Sequence, residues 1–339
     1  MLCNFLHKVY LSSTHNDNQK TERRQRLREI PQHVSGCLQL ALLLEVSACP
    51  KPGNVHRTAD FKVTRYEHFL ASAVALAPHF AHCAASGVEV HDGKLCLDKI
   101  EVGKAIKEAV SDVALWQHGG NTVLGSIILL MPMAAAAGMT LAEGKFSVKR
   151  LIRHVKSVVE STTFNDAVNL YEAIGIAKPG GLGKAPELDV TKASSTKEIK
   201  RNKVSLFQVF KISAPWDSIS SEWVNNYHMV FDIGYPFLVR QLKETGDINV
   251  AAVNTFLKVL SEVPDTLIAR KAGRQKAKEI SLQAKQVLER GGLTTREGRR
   301  SLIAFDEQLR TKSHELNPGT TADITSAVLA LAILDGYRP

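Results

Sequence analysis

Between Gly119 and Ala142 the chain carries no charged side chain. A stretch this long and apolar can be hidden in a bilayer or inside a shell of other helices. It opens on Gly119-Gly120-Asn121-Thr122, carries Pro132 near its middle and ends in an Ala-rich tract, which predicts a buried core helix rather than a membrane span. A helix that is apolar on all sides must be walled in, so the remainder of the 339 residues has to supply the wall. Composition agrees: 44% of residues are hydrophobic but only 6% aromatic, with Ala and Leu frequent, a mixture that favours helices over strands. The expectation is an all-α protein, a single multi-helix domain with buried central helices.

Helical spacing recurs along the chain. Cys37 to Leu44 is apolar on nearly every side and runs into Glu45. Phe69 to Ala85, Lys104 to Trp116, Leu151 to Val159 and Asp166 to Ala177 follow, and then Ser221 to Leu242, Ile248 to Val263 and Arg274 to Arg290. Asn317-Pro318-Gly319 ahead of Ile324, Ala327, Val328 and Leu331 predicts a last helix with a capped start. Residues 178–203, rich in Gly, Pro, Ser, Thr and Lys, read as a mobile loop or surface insertion. Residues 1–34, with the basic run Thr21 to Arg28, read as a flexible arm, and 35–339 as the helical catalytic domain.

The formal charge of +9 suits acidic partners, and a small anionic substrate fits it as well as nucleic acid does. The basic arm has no interleaved aromatics, so nucleic acid is not the expected partner. Five cysteines, with no C-x-x-C pair, indicate neither a disulfide framework nor a zinc site. No signal or transit peptide is legible, and a cytoplasmic location is expected.

The loop Pro50-Lys51-Pro52-Gly53-Asn54-Val55-His56-Arg57 breaks a very apolar helical run with two prolines, a glycine and four polar or cationic groups. Prolines leave the backbone little freedom to lose, and Lys51, Asn54, His56 and Arg57 are donors suited to phosphate, though a plain turn between helices has the same residues. Gly119-Gly120-Asn121-Thr122 ahead of the core helix reads as an anion-binding helix start or a simple cap. Lys178 to Lys184 is glycine-rich around Gly180 and Gly181 but lacks Walker spacing. Among carboxylates at helix starts or in apolar stretches, Asp166, Glu172, Asp265, Asp306 and Asp323, two or three could hold Mg²⁺, which prefers oxygen ligands and bridges to phosphates.

In combination, Glu45 through Arg57, Asp60-Phe61, Gly119 to Thr122 and Asn317-Pro318-Gly319-Thr320-Thr321-Ala322-Asp323 resemble the triphosphoribosyl-dephospho-CoA synthase family in order and rough spacing, over roughly Cys37 to Leu334. The resemblance implies an all-α enzyme that takes ATP, releases adenine and attaches the ribose triphosphate to a hydroxyl of dephospho-CoA. It implies Lys51 and Arg57 as a phosphate clamp and Asp60 and Asp323 as metal ligands or base. The expected site is therefore Asp60, Asp323 and His56 for catalysis; Lys51, Asn54, Arg57, Asn121, Thr122, Gly180, Gly181 and Asn317 for substrate; and Asp60, Asp166 and Asp323 for Mg²⁺. Partners are ATP and a phosphorylated small-molecule acceptor, with a homodimer compatible. Asn54 stands where the family usually has Leu and His56 where it has Asp, while Val123 and Leu124 replace a usual His and basic residue. These positions leave room for another cofactor precursor as acceptor, or for a nucleotide-binding regulator without turnover.

Overall fold

The computed structural model describes residues 27–183 and 185–339. Helix α1 covers residues 27–47, and its buried stripe of Ile30, Val34, Cys37, Leu38, Ala41 and Leu42 seats it in the core. The helical body thus already includes residues 27–34, which the sequence reading assigned to a flexible arm. Residues 1–26, with most of the basic run, lie outside the described residues.

After the loop come α2 (Tyr66–Ala75), α3 (Ala77–His91), a short 3₁₀ turn, α4 (Val102–Trp116), α5 (Leu124–Ala142), α6 (Val148–Glu160) and α7 (Phe164–Ala177). The second half is α8 (Ala193–Asn202), α9 (Leu206–Ser213), α10 (Ser218–Val224), a π-helical turn (Met229–Gly234), α11 (Tyr235–Thr245), α12 (Ile248–Glu262), α13 (Thr266–Ala272), α14 (Arg274–Glu289), α15 (Arg296–Leu309) and α16 (Gly319–Leu334). No strand occurs among the described residues, so the all-α expectation is met.

Two apolar helices form the axis. α5 is walled by α3, α4, α6 and α10, and α16 by α10 to α13, with α5 and α16 touching each other. By length and composition Leu124–Ala142 could cross a membrane, as could the stretch Tyr66–His91, yet 83% of the most apolar window of α5 is buried inside the protein. The core-helix reading of 119–142 is the one observed.

The structure explains why two long apolar segments are not single helices. Pro78 has no N–H to offer the preceding turn, so the 69–85 run divides at Leu76 into α2 and α3. In 221–242 the break follows from α5. Pro132 cannot donate to Ile128 O four residues back, and a buried carbonyl needs a donor. Trp223 Nε1–H supplies it at 3.2 Å, and Tyr227 Oη donates to Leu129 O at 3.0 Å. Fixing both rings on α5 puts Asn226 and Tyr227 in the left-handed region, at φ 56° each, and the helix restarts where the Glu222 carboxylate accepts from Met229 and Val230 N–H. Burial pushes the Glu222 carboxyl up to about 7.

The 178–203 segment, read as a loop, holds α8, which packs on α7 through buried Ile199 and Ser195. One apolar anchor in a polar ten-residue helix leaves no stripe to read.

Candidate active site

The N-termini of α5 and α16 meet in a cleft of about 1010 Å³. The junction is a side-chain contact: Ser126, in the first turn of α5, donates both its N–H (2.7 Å) and its Oγ–H (2.6 Å) to Asp323 Oδ1 in α16. A Cβ on Gly125 would stand 2.1 Å from Asp323 Oδ2, so only glycine lets the two helices approach this closely. α13 is tied into the same corner by Asp265. Its Oδ1 caps α13 by accepting from Leu267 and Ile268 N–H, and its Oδ2 accepts from Thr321 N–H and Oγ1–H in α16. Helix starts carry partial positive charge, so their convergence favours an anionic guest.

Asp323 lines the cleft floor with Glu45. Burial pushes the Asp323 carboxyl up to about 7; the two Ser126 bonds oppose the rise, and the charges of Glu45 and Asp265 add to it. Lys51 lies just beneath, 1% exposed, paired with Glu45 Oε1 and donating to Glu45 O at 3.1 Å. Burial pushes Glu45 up and Lys51 down, and their pairing opposes both shifts.

The rim is cationic. Lys178 after α7, Arg270 and Lys271 at the end of α13, Arg274 at the start of α14 and Lys312 before α16 all line the cleft. Arg270 is held by Asp217 at 2.7 Å. Burial, then the Arg270 charge, lower the Lys271 ammonium. Gly180 and Gly181 lie over this lysine: a Cβ on Gly181 would meet Lys271 Cγ at 3.0 Å, and its φ is 75°. An apolar part of the lining is formed by Leu170, Ile174, Leu188, Val209, Phe210 and Ile219.

The loop 50–57 is fastened from behind. Gly53 N–H donates to Asp306 Oδ1 at 2.8 Å, and Arg310 donates to Asn54 O at 2.8 Å and to His56 Nε2 at 2.9 Å. Asn249 holds the other end, accepting from Cys49 N–H and donating to Cys49 O, both at 2.8 Å. Burial opposes it, but bonds from Arg310 and Gly53, with the Arg310 charge, keep the Asp306 carboxyl below its ordinary value.

These contacts sort the residues expected from sequence. Asp323, Asn54, Asn121, Thr122, Gly180 and Asn317 all line the cleft, with Gly181 next to it. Asn121 also caps α5 by accepting from Leu124 N–H, and Thr122 Oγ1 is 2.8 Å from Ser72 Oγ. Lys51 is not brought in as a free cation, because Glu45 engages it. His56 is buried behind the loop against Arg310, Arg57 reaches outward to Asn249, and Asp60 accepts from Tyr66 N–H to start α2. Asp166 serves a different corner, capping α7 through Thr163 and accepting from Gly103 N–H at 2.8 Å. Asp60, Asp166 and Asp323 thus do not converge, and among the described residues no cluster of three or more His, Cys, Asp or Glu could hold a metal ion.

The model of one protein family, ATP:dephospho-CoA triphosphoribosyl transferase, matches residues 31–339. The chain belongs to that family. Among relatives of this triphosphoribosyl transferase chain is the 2-(5''-triphosphoribosyl)-3'-dephosphocoenzyme-A synthase of Escherichia fergusonii, 22% identical over 88% of this chain and 90% of the relative. The synthase of that name from Klebsiella pneumoniae is 23% identical over 89% and 90%. A crystal structure of an Archaeoglobus fulgidus protein, itself a candidate triphosphoribosyl-dephospho-CoA synthase, superimposes with a TM-score of 0.60 at 25% identity, covering 81% of this chain and all of that one.

What the sequence reading of this transferase misses is the rim. Arg270, Lys271 and Arg274 fall within Ala269-Arg270-Lys271-Ala272-Gly273-Arg274, a cation-dense helix junction. That density was the available signal, and it has no fixed motif. Arg310 has none either, since its role depends on a loop 256 residues away.

Proposed function

We propose that this protein moves the 5-triphosphoribosyl group of ATP to a hydroxyl of dephospho-CoA and releases adenine. Family membership supports the reaction, and one structural observation carries the residue assignment: a carboxyl poised near neutrality, Asp323, sits where two helix N-termini converge beneath an arc of cations. The acceptor hydroxyl attacks the anomeric carbon of the ATP ribose and its proton passes to Asp323, while the bond to adenine breaks with the electron pair leaving on the base, which takes its proton from solvent as Asp323 later returns one to solvent. A base is most effective when its pKa lies near the working pH. Lys271, Arg274 and Lys312 act electrostatically on the triphosphate.

The cleft is at the upper end of the roughly 300–1,000 Å³ of ordinary ligand sites, which suits two nucleotides held together. Its apolar lining suits the pantetheine arm of the acceptor. Mg²⁺ commonly keeps several waters and is bound largely through substrate phosphates; with Asp323 serving as the base and Glu45 engaged by Lys51, the triphosphate itself would supply most of the ligands. When bound, the ion would neutralise phosphate charge. We place the reaction in the cytoplasm.

Incubation with ATP, Mg²⁺ and dephospho-CoA should release free adenine only when the acceptor is present, with the acceptor gaining the mass of a triphosphoribosyl group. ATP binding with no adenine release in the presence of dephospho-CoA would overturn the proposal.

A further inference from the structure

Three of the buried polar atoms without a hydrogen-bond partner among the described residues belong to residues of this one cleft: Asn54 Nδ2, His314 Nδ1 and Asn317 Oδ1. Buried polar atoms are nearly always paired, so three in one cleft wall mark a place where a ligand completes the bonding. Two loops bring them together. A Cβ on Gly53 would lie 3.2 Å from Leu316 O, Arg310 bonds Asn54 O, and the Phe61 ring stacks on His314 at 4.0 Å and 23°.

Their polarity is fixed in part by the backbone. Val55 N–H donates to Asn54 Oδ1 at 2.8 Å, so the free end of Asn54, itself only 3% exposed, is the Nδ2 donor. The free atom of Asn317 is an acceptor. His314 is held at φ 52°, a conformation rare for a residue with a side chain and one that clusters at functional sites. Burial, with the charges of Lys271 and Arg310, lowers its pKa and keeps the ring neutral at pH 7.

We infer that this corner reads an adenine base: Asn54 Nδ2 donates to ring nitrogen N1, Asn317 Oδ1 accepts from the exocyclic amino group, and the Phe61–His314 stack offers a neutral aromatic face. The inference deepens the proposed function and rests on it for the identity of the nucleotides, since ATP and dephospho-CoA both carry adenine. Hypoxanthine has nearly the same shape but reverses the pattern, with a carbonyl in place of the amino group and an N–H in place of the ring acceptor.

Calorimetric titration of the full chain with ATP, ITP, dephospho-CoA, deaminated dephospho-CoA and inorganic tripolyphosphate tests it. One adenine ligand should bind about tenfold or more tightly than its inosine form, because mismatched buried donors and acceptors are strongly rejected. The pair that discriminates identifies the nucleotide seated here. Asn317→Ala should bring that ratio close to one and leave tripolyphosphate binding unchanged. Asn54→Asp, which keeps the shape and the Val55 bond but replaces the donor, should do the same. Equal binding of both forms in both pairs, no binding of either adenine nucleotide, or variants that weaken tripolyphosphate as much as the adenine ligand would each overturn the inference. Discrimination without adenine release in the transfer assay would sink the transferase reading and leave the adenine corner standing; adenine release with no discrimination between the forms would do the reverse.

Discussion

Asp323 owes its raised pKa to enclosure, and that gives turnover and stability opposite pH dependences. As a base it must be ionised, so the transfer rate should rise through about pH 7. The folded carboxyl holds its proton more tightly than the unfolded one, whose ordinary value is 3.8. Its contribution to stability is therefore full below about pH 4 and is lost as pH rises through about 7. We expect Asp323→Asn to abolish turnover yet melt above the wild type at pH 8, by an amount worth up to a few kcal/mol that shrinks as pH falls toward 5. Thermal scans across that range, beside adenine-release rates, check both halves. A melting difference independent of pH would contradict the account. Asp323 was legible because its Asn-Pro-Gly neighbourhood signals a helix start. The burial of Lys51 was not legible, because the sequence does not reveal that Glu45, at the end of the preceding helix, turns to meet it inside the protein.

Among the elements, α5 is the one most fully read from sequence and the one that explains most of what was misread. Its apolar faces and Pro132 announce a core helix. Which partner satisfies Ile128 O is a tertiary matter, and that choice of Trp223 breaks the neighbouring helix. α5 also crosses α3 at a contact of small residues: a Cβ on Gly138 would lie 2.1 Å from Ala84 O, and one on Gly87 would lie 1.9 Å from Ala135 O. Backbone cannot yield as a side chain can. Gly138→Val is expected to cost about 3 kcal/mol or more, seen as a lowered midpoint in circular-dichroism melts, whereas a side chain at exposed Gly93, with nothing within 4 Å of a Cβ but a φ of 70°, meets only backbone strain. The stripe Leu302, Phe305 and Leu309 of α15 had helical spacing and could have been read; α13, seven residues long, offered too little periodicity.

For the molecule as a whole, the net charge of +9 gains meaning from where its cations stand. Lys178, Lys271, Arg274 and Lys312 edge one cleft. Focused charge of this kind attracts anions in a salt-dependent way. Raising KCl from about 0.05 M to about 0.5 M, which cuts the Debye length by roughly threefold, should weaken ATP binding about tenfold while the melting temperature moves little. Titration calorimetry at the two salt concentrations measures it, and salt-independent ATP affinity would remove these cations from the site. Fold class was legible because helical period and a charge-free segment are local signals. The rim was not, because it assembles from three stretches of chain.

The fastening of loop 50–57 by Asp306 and Arg310 also bears on how such a site can be re-engineered. The loop and the stretch from 306 to 317 interlock as a single cast, although 256 residues separate Asn54 from Arg310. A loop transplanted from a relative would arrive without its matching buckle and leave Arg310 aimed at a missing imidazole. Grafts meant to change the acceptor therefore have to carry both stretches together, and substitutions at His56 and Arg310 are expected to drift in step among related chains.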